Sequence, residues 1–221
     1  MSELQLVLAQ LNKLGLIALF LGMIWRGRVA SCWSFTFYLG AIILGNGLVT
    51  MAPDTFYTGW FYVLKQGAYD ILKMAVALEL AWRAFSAFPG AWRVARVVLA
   101  TLLVVSTLAL AWLTPRSTFG TLTEWQPSVV TAAVWLFTAV ALLVVHYQIP
   151  IGDWQRRLLM GFVVYLFVNV ILLSLLKRHS LLRADVGLLD SFAYLLLVLF
   201  WMRAAWRHEA GEAPIPVASP A

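Results

Sequence analysis

Gln66, Asp70 and Lys73 stand at i, i+4 and i+7. A helix through them therefore carries an amide, a carboxylate and an amine along one face, with Ala77 continuing the row and Tyr62 and Tyr69 beside it. Five more polar groups interrupt otherwise apolar runs: Lys13, Asn46, Lys65, Asn169 and Asp190. Such residues can pair with one another, bridge helices through hydrogen bonds, pass protons or hold an ion. Among them Lys13, Lys65 and Lys73 face Asp70 and Asp190 as the acids, so a shared cluster has surplus positive charge. That balance suits an anionic group, such as a carboxylate or a lipid headgroup. The competing reading is a purely structural network, in which each interhelical hydrogen bond contributes about 0.6 kcal/mol.

Other chemistries find little support. His146, His179 and His208 fall in three separate places, which disfavours a haem or zinc site. Cys32 is the single cysteine, so the chain has no intrachain disulfide and no Cys-based zinc site. No Gly-x-Ser-x-Gly elbow and no Gly-rich phosphate loop is present. Gly40, Ala41, Gly45 and Gly47 read as a small-residue stripe for close helix packing. Glu79 precedes Arg83 by one turn and is expected to form an interfacial ion pair outside the cluster. The sequence thus calls for no enzyme, no cofactor and no metal.

The elements that must position these groups follow from composition. Hydrophobic residues make up 62% of the chain and charged ones 12%, and a soluble domain of this length has too little interior to hide that much apolar surface. A bilayer core of about 30 Å needs roughly 20 apolar helical residues. Seven such runs are present: Leu4 to Trp25, Ala30 to Met51, Phe56 to Trp82, Trp92 to Leu113, Pro127 to His146, Leu158 to Leu176 and Val186 to Met202. A charge at a helix centre costs about 2.5–3.5 kcal/mol on insertion scales, so the polar face of the third run must turn toward protein or water. By depth, Lys13, Asn46, Lys65, Gln66, Asn169 and Asp190 fall in the outer half and Asp70 near the middle. If the bundle gathers them inward, its first, second, third, sixth and seventh spans share one polar cluster.

Seven crossings put Arg26, Arg28, Arg83, Arg93, Arg96, Arg156, Arg157, Arg203 and Arg207 on one side, which the positive-inside tendency makes cytoplasmic. The N-terminus is then outside. The net charge of +6 reads as topology, and nucleic acid is not an expected partner. Lys177, Arg178 and Arg183 oppose the pattern. Most tryptophans sit near run ends, at the headgroup level they favour. The run before Val29-Ala30-Ser31-Cys32 superficially resembles a lipoprotein signal, but Arg26 and Arg28 follow the apolar stretch instead of preceding it, so it reads as a retained helix. Val186 to Met202 lacks the lysine that a retinal Schiff base would need.

Residues 79–85 (Glu-Leu-Ala-Trp-Arg-Ala-Phe), Thr131 to Thr138 with Trp135-Leu136-Phe137, Ile149-Pro150 and Ala193-Tyr194 with the leucines after it resemble a family of uncharacterised bacterial seven-helix inner-membrane proteins. The resemblance covers most of residues 4–206. It implies the fold and a multi-pass place in the bacterial cell inner membrane, and no activity, cofactor or site.

The sequence therefore predicts an all-α, seven-transmembrane-helix bundle over residues 1–206, N-terminus outside and C-terminus cytoplasmic, with a disordered tail over 207–221. The expected function is that of a small non-enzymatic membrane protein, a sensor-like ligand-binding module or an accessory subunit of a membrane complex. Its candidate ligand residues are Lys13, Asn46, Lys65, Gln66, Asp70, Lys73, Asn169 and Asp190. The expected partners are the lipid bilayer, other membrane subunits, and a lipid or small anion. The alternative is a transporter or channel for a small solute, with Asp70 and Lys73 lining its path.

Overall fold

The computed structural model describes residues 3–86, 118–146, 148–149, 151–178 and 183–207, apart from the side chains of 85–86, 118–130, 173, 176–178 and 183–184. Every regular element among them is helical: α1 (Glu3–Trp25), a 3-10 turn (Arg28–Ser31), α2 (Trp33–Met51), the short α3 (Pro53–Phe56), α4 (Gly59–Ser86), α5 (Thr118–His146), α6 (Asp153–Arg178) and α7 (Arg183–Trp206). The expected fourth span, Trp92 to Leu113, and the expected tail beyond Arg207 lie outside the described residues.

Four stretches are long and apolar enough to cross a membrane: Glu3–Trp25, Trp33–Met51, Asp153–Leu172 and Asp185–Trp206. Within α5, Thr131–His146 is apolar but shorter. α4 has the length of a span, and its lysines and acids set it apart from these four.

The helices run longer than the apolar runs that mark them. α6 starts five residues before Leu158, taking in Arg156 and Arg157, and α5 continues through Pro127. Apolarity records where hydrocarbon would lie, whereas the backbone hydrogen-bond ladder extends beyond it. Between α1 and α2 the reverse holds: Gly27 adopts φ 64°, a left-handed turn favourable to glycine, and the chain makes a 3-10 turn before restarting at Trp33.

Contacts between neighbours close a ring: α1 meets α7, then α6, α5, α4 and α2 follow, and α2 returns to α1. The α1–α7 seam is extensive and the α1–α2 seam sparse. Small residues of α1 explain the first. A Cβ at Gly15 would meet Val198 at 2.8 Å, and one at Gly22 would meet the Trp206 indole at 2.6 Å. The Trp206 indole N–H donates to the Ala18 carbonyl at 3.3 Å. Gly15, Ala18 and Gly22 thus form the stripe that lets two backbones approach. Of the glycines in the expected stripe of α2, Gly45 is closely approached, by Tyr69 and Lys65, while no described residue comes within 4 Å of a Cβ at Gly40 or Gly47.

Aromatic packing fills the middle. Phe35 of α2 meets Trp154 and Phe162 of α6 and Trp201 of α7 edge-on, with centroids 5.0–6.0 Å apart. Phe137 of α5 stacks on Phe162 at 4.7 Å. These geometries suit ring quadrupoles and contribute beyond the area they bury. The Trp201 indole presses on Gly161, where a Cβ would have no room.

Candidate functional site

The expected polar row of α4 forms as its spacing requires. Lys73 Nζ donates to Asp70 Oδ1 at 2.7 Å, and the two side chains are 12% and 11% exposed. Gln66 Nε2 approaches the same oxygen at 3.5 Å. Ala77 is buried further along that face. Asp70 is thus already neutralised within its own helix.

Asp190 of α7 has a separate partner. Asn169 Nδ2 of α6 donates to its Oδ1 at 3.0 Å. Tyr165 and Tyr194 bring their rings to 5.5 Å. The buried Tyr38 of α2 packs on Phe162 of α6 with ring centroids 5.8 Å apart, and Tyr69 of α4 donates to the Ile42 carbonyl at 3.4 Å. Sequence reasoning placed Tyr69 beside the row and missed Tyr38, Tyr165 and Tyr194. Aromatic side chains in apolar runs read as core or interface, and only a shared depth on facing helices would have singled them out.

Lys13 and Asn46 stand apart from this interior, in the α1–α2 seam. Lys13 Nζ donates to Thr50 Oγ1 at 3.0 Å, while Thr50 Oγ1 donates back to the Asn46 carbonyl at 2.8 Å. The residues line a cavity of 260 Å³ together with Gln10, Gly47 and apolar neighbours. Lys65 lays its stem against Gly45 and its ammonium 6.0 Å from the Tyr62 ring centroid. The eight expected residues thus fall into an α4 row, an α6–α7 pair, an α1–α2 cavity and a lysine on the α2–α4 seam. Asn12, which sequence reasoning passed over, adds an α1–α7 bond to the Ser191 carbonyl at 3.1 Å.

Two further polar centres act on helix ends. The Glu79 carboxylate accepts from the backbone N–H groups of Trp33 and Ser34 at 3.1 and 2.8 Å. It also pairs with Arg83 at 2.9 Å, as expected, and Arg83 reaches on to the Ala30 carbonyl. Glu79 therefore caps α2 from a neighbouring helix, satisfying N–H groups that have no intrahelical partner. Cys32, outside the helices at this junction, is buried, and desolvation followed by the negative charge of Glu79 pushes its thiol up to about 12. At the other end of the loop, Arg28 donates to the Ala204 and Arg207 carbonyls at 2.7 and 2.6 Å and lies 5.4 Å from the Trp154 ring centroid. Arg26 donates to the Trp206 carbonyl at 3.3 Å.

The acids of the interior are bonded, and no group of three metal-ligating side chains occurs among the described residues. Among the described residues a cavity lies in the α1–α2 seam, where Lys13 has a neutral hydroxyl as its partner. Comparison with known proteins returns no match to a protein-family model, a curated protein or a solved structure.

Proposed function

We propose that this chain is a seven-span, multi-pass protein of the cell inner membrane, N-terminus outside, that acts without catalysis as an anion-binding module or accessory subunit. α4 is its third span and carries its polar face inward. The observation that supports the binding role is the contrast between the lysines: Lys73 is joined to Asp70 at 2.7 Å, whereas Lys13, among the described residues, has the Thr50 hydroxyl as its hydrogen-bond partner and borders a cavity. A half-buried ammonium without a carboxylate is favourable when an anion completes it.

Transport is the second reading, and the Asp70–Lys73 pair at mid-depth favours it. Its requirement is a water route past Asp70, yet Asp70 is 8% exposed and its charge is already met by Lys73.

Inorganic phosphate titrated into delipidated protein tests the binding role. The expected result is a Tm that rises with phosphate, by roughly 2–4 °C per kcal/mol of linkage, in wild type and not in Lys13→Gln. An equal response in both proteins, or none in either, would exclude Lys13 as the anion's partner.

A further inference from the structure

We infer that the α1–α2 cavity holds the phosphate of an outer-leaflet phospholipid, with one acyl chain continuing down the same seam. This rests on the reading of Lys13 as an anion partner and names the anion's source.

The lining is sorted by depth. Gln10, Lys13, Asn46 and Thr50 occupy the outer part together with the apolar Met51, and Leu16, Ile17 and Ile43 the part nearer the cytoplasmic ends of the two helices. Counted at 1.5 Å per residue, Lys13 lies about 18 Å from the end of α1 at Trp25, and Thr50 about 25 Å from the start of α2 at Trp33. Because Lys13 Nζ meets Thr50, its stem climbs past its own Cα toward the headgroup level of a hydrocarbon core about 30 Å thick, the behaviour of a snorkelling lysine. The lining is chiefly apolar and matches methylenes, while the Lys13 ammonium at the rim is the donor for a phosphate oxygen.

Size points the same way. Pockets that enclose a free drug-sized molecule run to about 300–1,000 Å³, and 260 Å³ is too small to engulf one. A lipid needs only its headgroup neck and upper chain accommodated, since the rest stays in the bilayer. Gly47 keeps the site open, because a Cβ there would meet nothing within 4 Å. The sparse α1–α2 contact gives the chain a lateral entrance.

The test is quantitative lipid analysis of protein purified in mild detergent, by native mass spectrometry. Wild type should retain one phospholipid per chain. Lys13→Gln should lower retention by about tenfold, the loss of one charge-assisted hydrogen bond. Gly47→Leu, which fills the cavity and replaces a helix glycine by a better helix former, should abolish retention while leaving thermal stability at or above that of delipidated wild type. If neither substitution changes the phospholipid retained, or if wild type retains none, the lipid assignment is overturned. Should phosphate still raise the Tm of wild type through Lys13, the anion site stands without the lipid. Should that response be absent as well, both readings fall.

Discussion

Asp70→Ala lowers stability by about 3–5 kcal/mol, because it strands the Lys73 ammonium, which pairs with no other carboxylate among the described residues. The pair is short and largely hidden, at 2.7 Å with exposures of 12% and 11%, and the next polar neighbour, Gln66, cannot neutralise a cation. At this chain length the expected fall in Tm is roughly 6–20 °C. Removing both charges has the opposite sign of effect: Asp70→Leu with Lys73→Met restores most of the loss or exceeds wild type, since apolar groups of similar volume need no desolvated partner. Thermal unfolding of the two variants in one detergent distinguishes this from a site whose charges serve a ligand. A double variant as unstable as the single one would show that Asp70 contributes through something other than Lys73.

Arg28→Ala has a comparable expected cost, at the opposite end of the molecule. The last turn of α7 leaves carbonyls without intrahelical donors, and its C-terminus carries partial negative charge. Arg28 meets both needs, donating at 2.7 and 2.6 Å to the Ala204 and Arg207 carbonyls while its guanidinium lies near Trp154. Two charge-assisted hydrogen bonds and a cation–π contact together account for about 3–5 kcal/mol. Arg28→Lys should recover less than half of that, because a single ammonium cannot span both acceptors and stack as a planar fork does. Hydrogen exchange provides a local readout: amides near Trp201 to Trp206 should lose protection before those of α2. Full stability in the lysine variant would mean that charge alone, and not the fork, joins the α1–α2 loop to α7.

How far the sequence reaches can be judged from particular residues. Apolar runs bounded by charge located α1, α2, α4, α5, α6 and α7, because length and hydropathy are local properties of the chain. Boundaries were less visible. Pro127 and Leu158 read as starts, yet α5 begins at Thr118 and α6 at Asp153, since a helix persists where its span ends. The Gln66–Asp70–Lys73 row was legible for the same local reason: its partners sit on one helix and helical spacing fixes them.

Contacts between helices were a different matter. Periodicity tells which face is polar and not which helix it meets. Lys13 therefore could not be assigned to Thr50, nor Asn12 to Ser191. Arg28 read as a topological charge although it is 8% exposed and caps α7. Gly15 and Gly22 went unnoticed among the larger residues of α1, while the small-residue stripe was placed on Gly40 and Gly47, which approach nothing among the described residues.

The arrangement as a whole stands on α4 passing from one side of the membrane to the other, and labelling of single cysteines tests this most directly. Tyr57, 83% exposed just before α4, and Trp82, 46% exposed near its end, are suitable sites. The native Cys32 adds little background, being buried with its thiol pushed up to about 12. With Tyr57→Cys, a membrane-impermeant maleimide added to intact cells or right-side-out vesicles should react at once. With Trp82→Cys it should react only after permeabilisation. Reaction of both positions from the same side would place α4 on one face of the membrane and contradict the account.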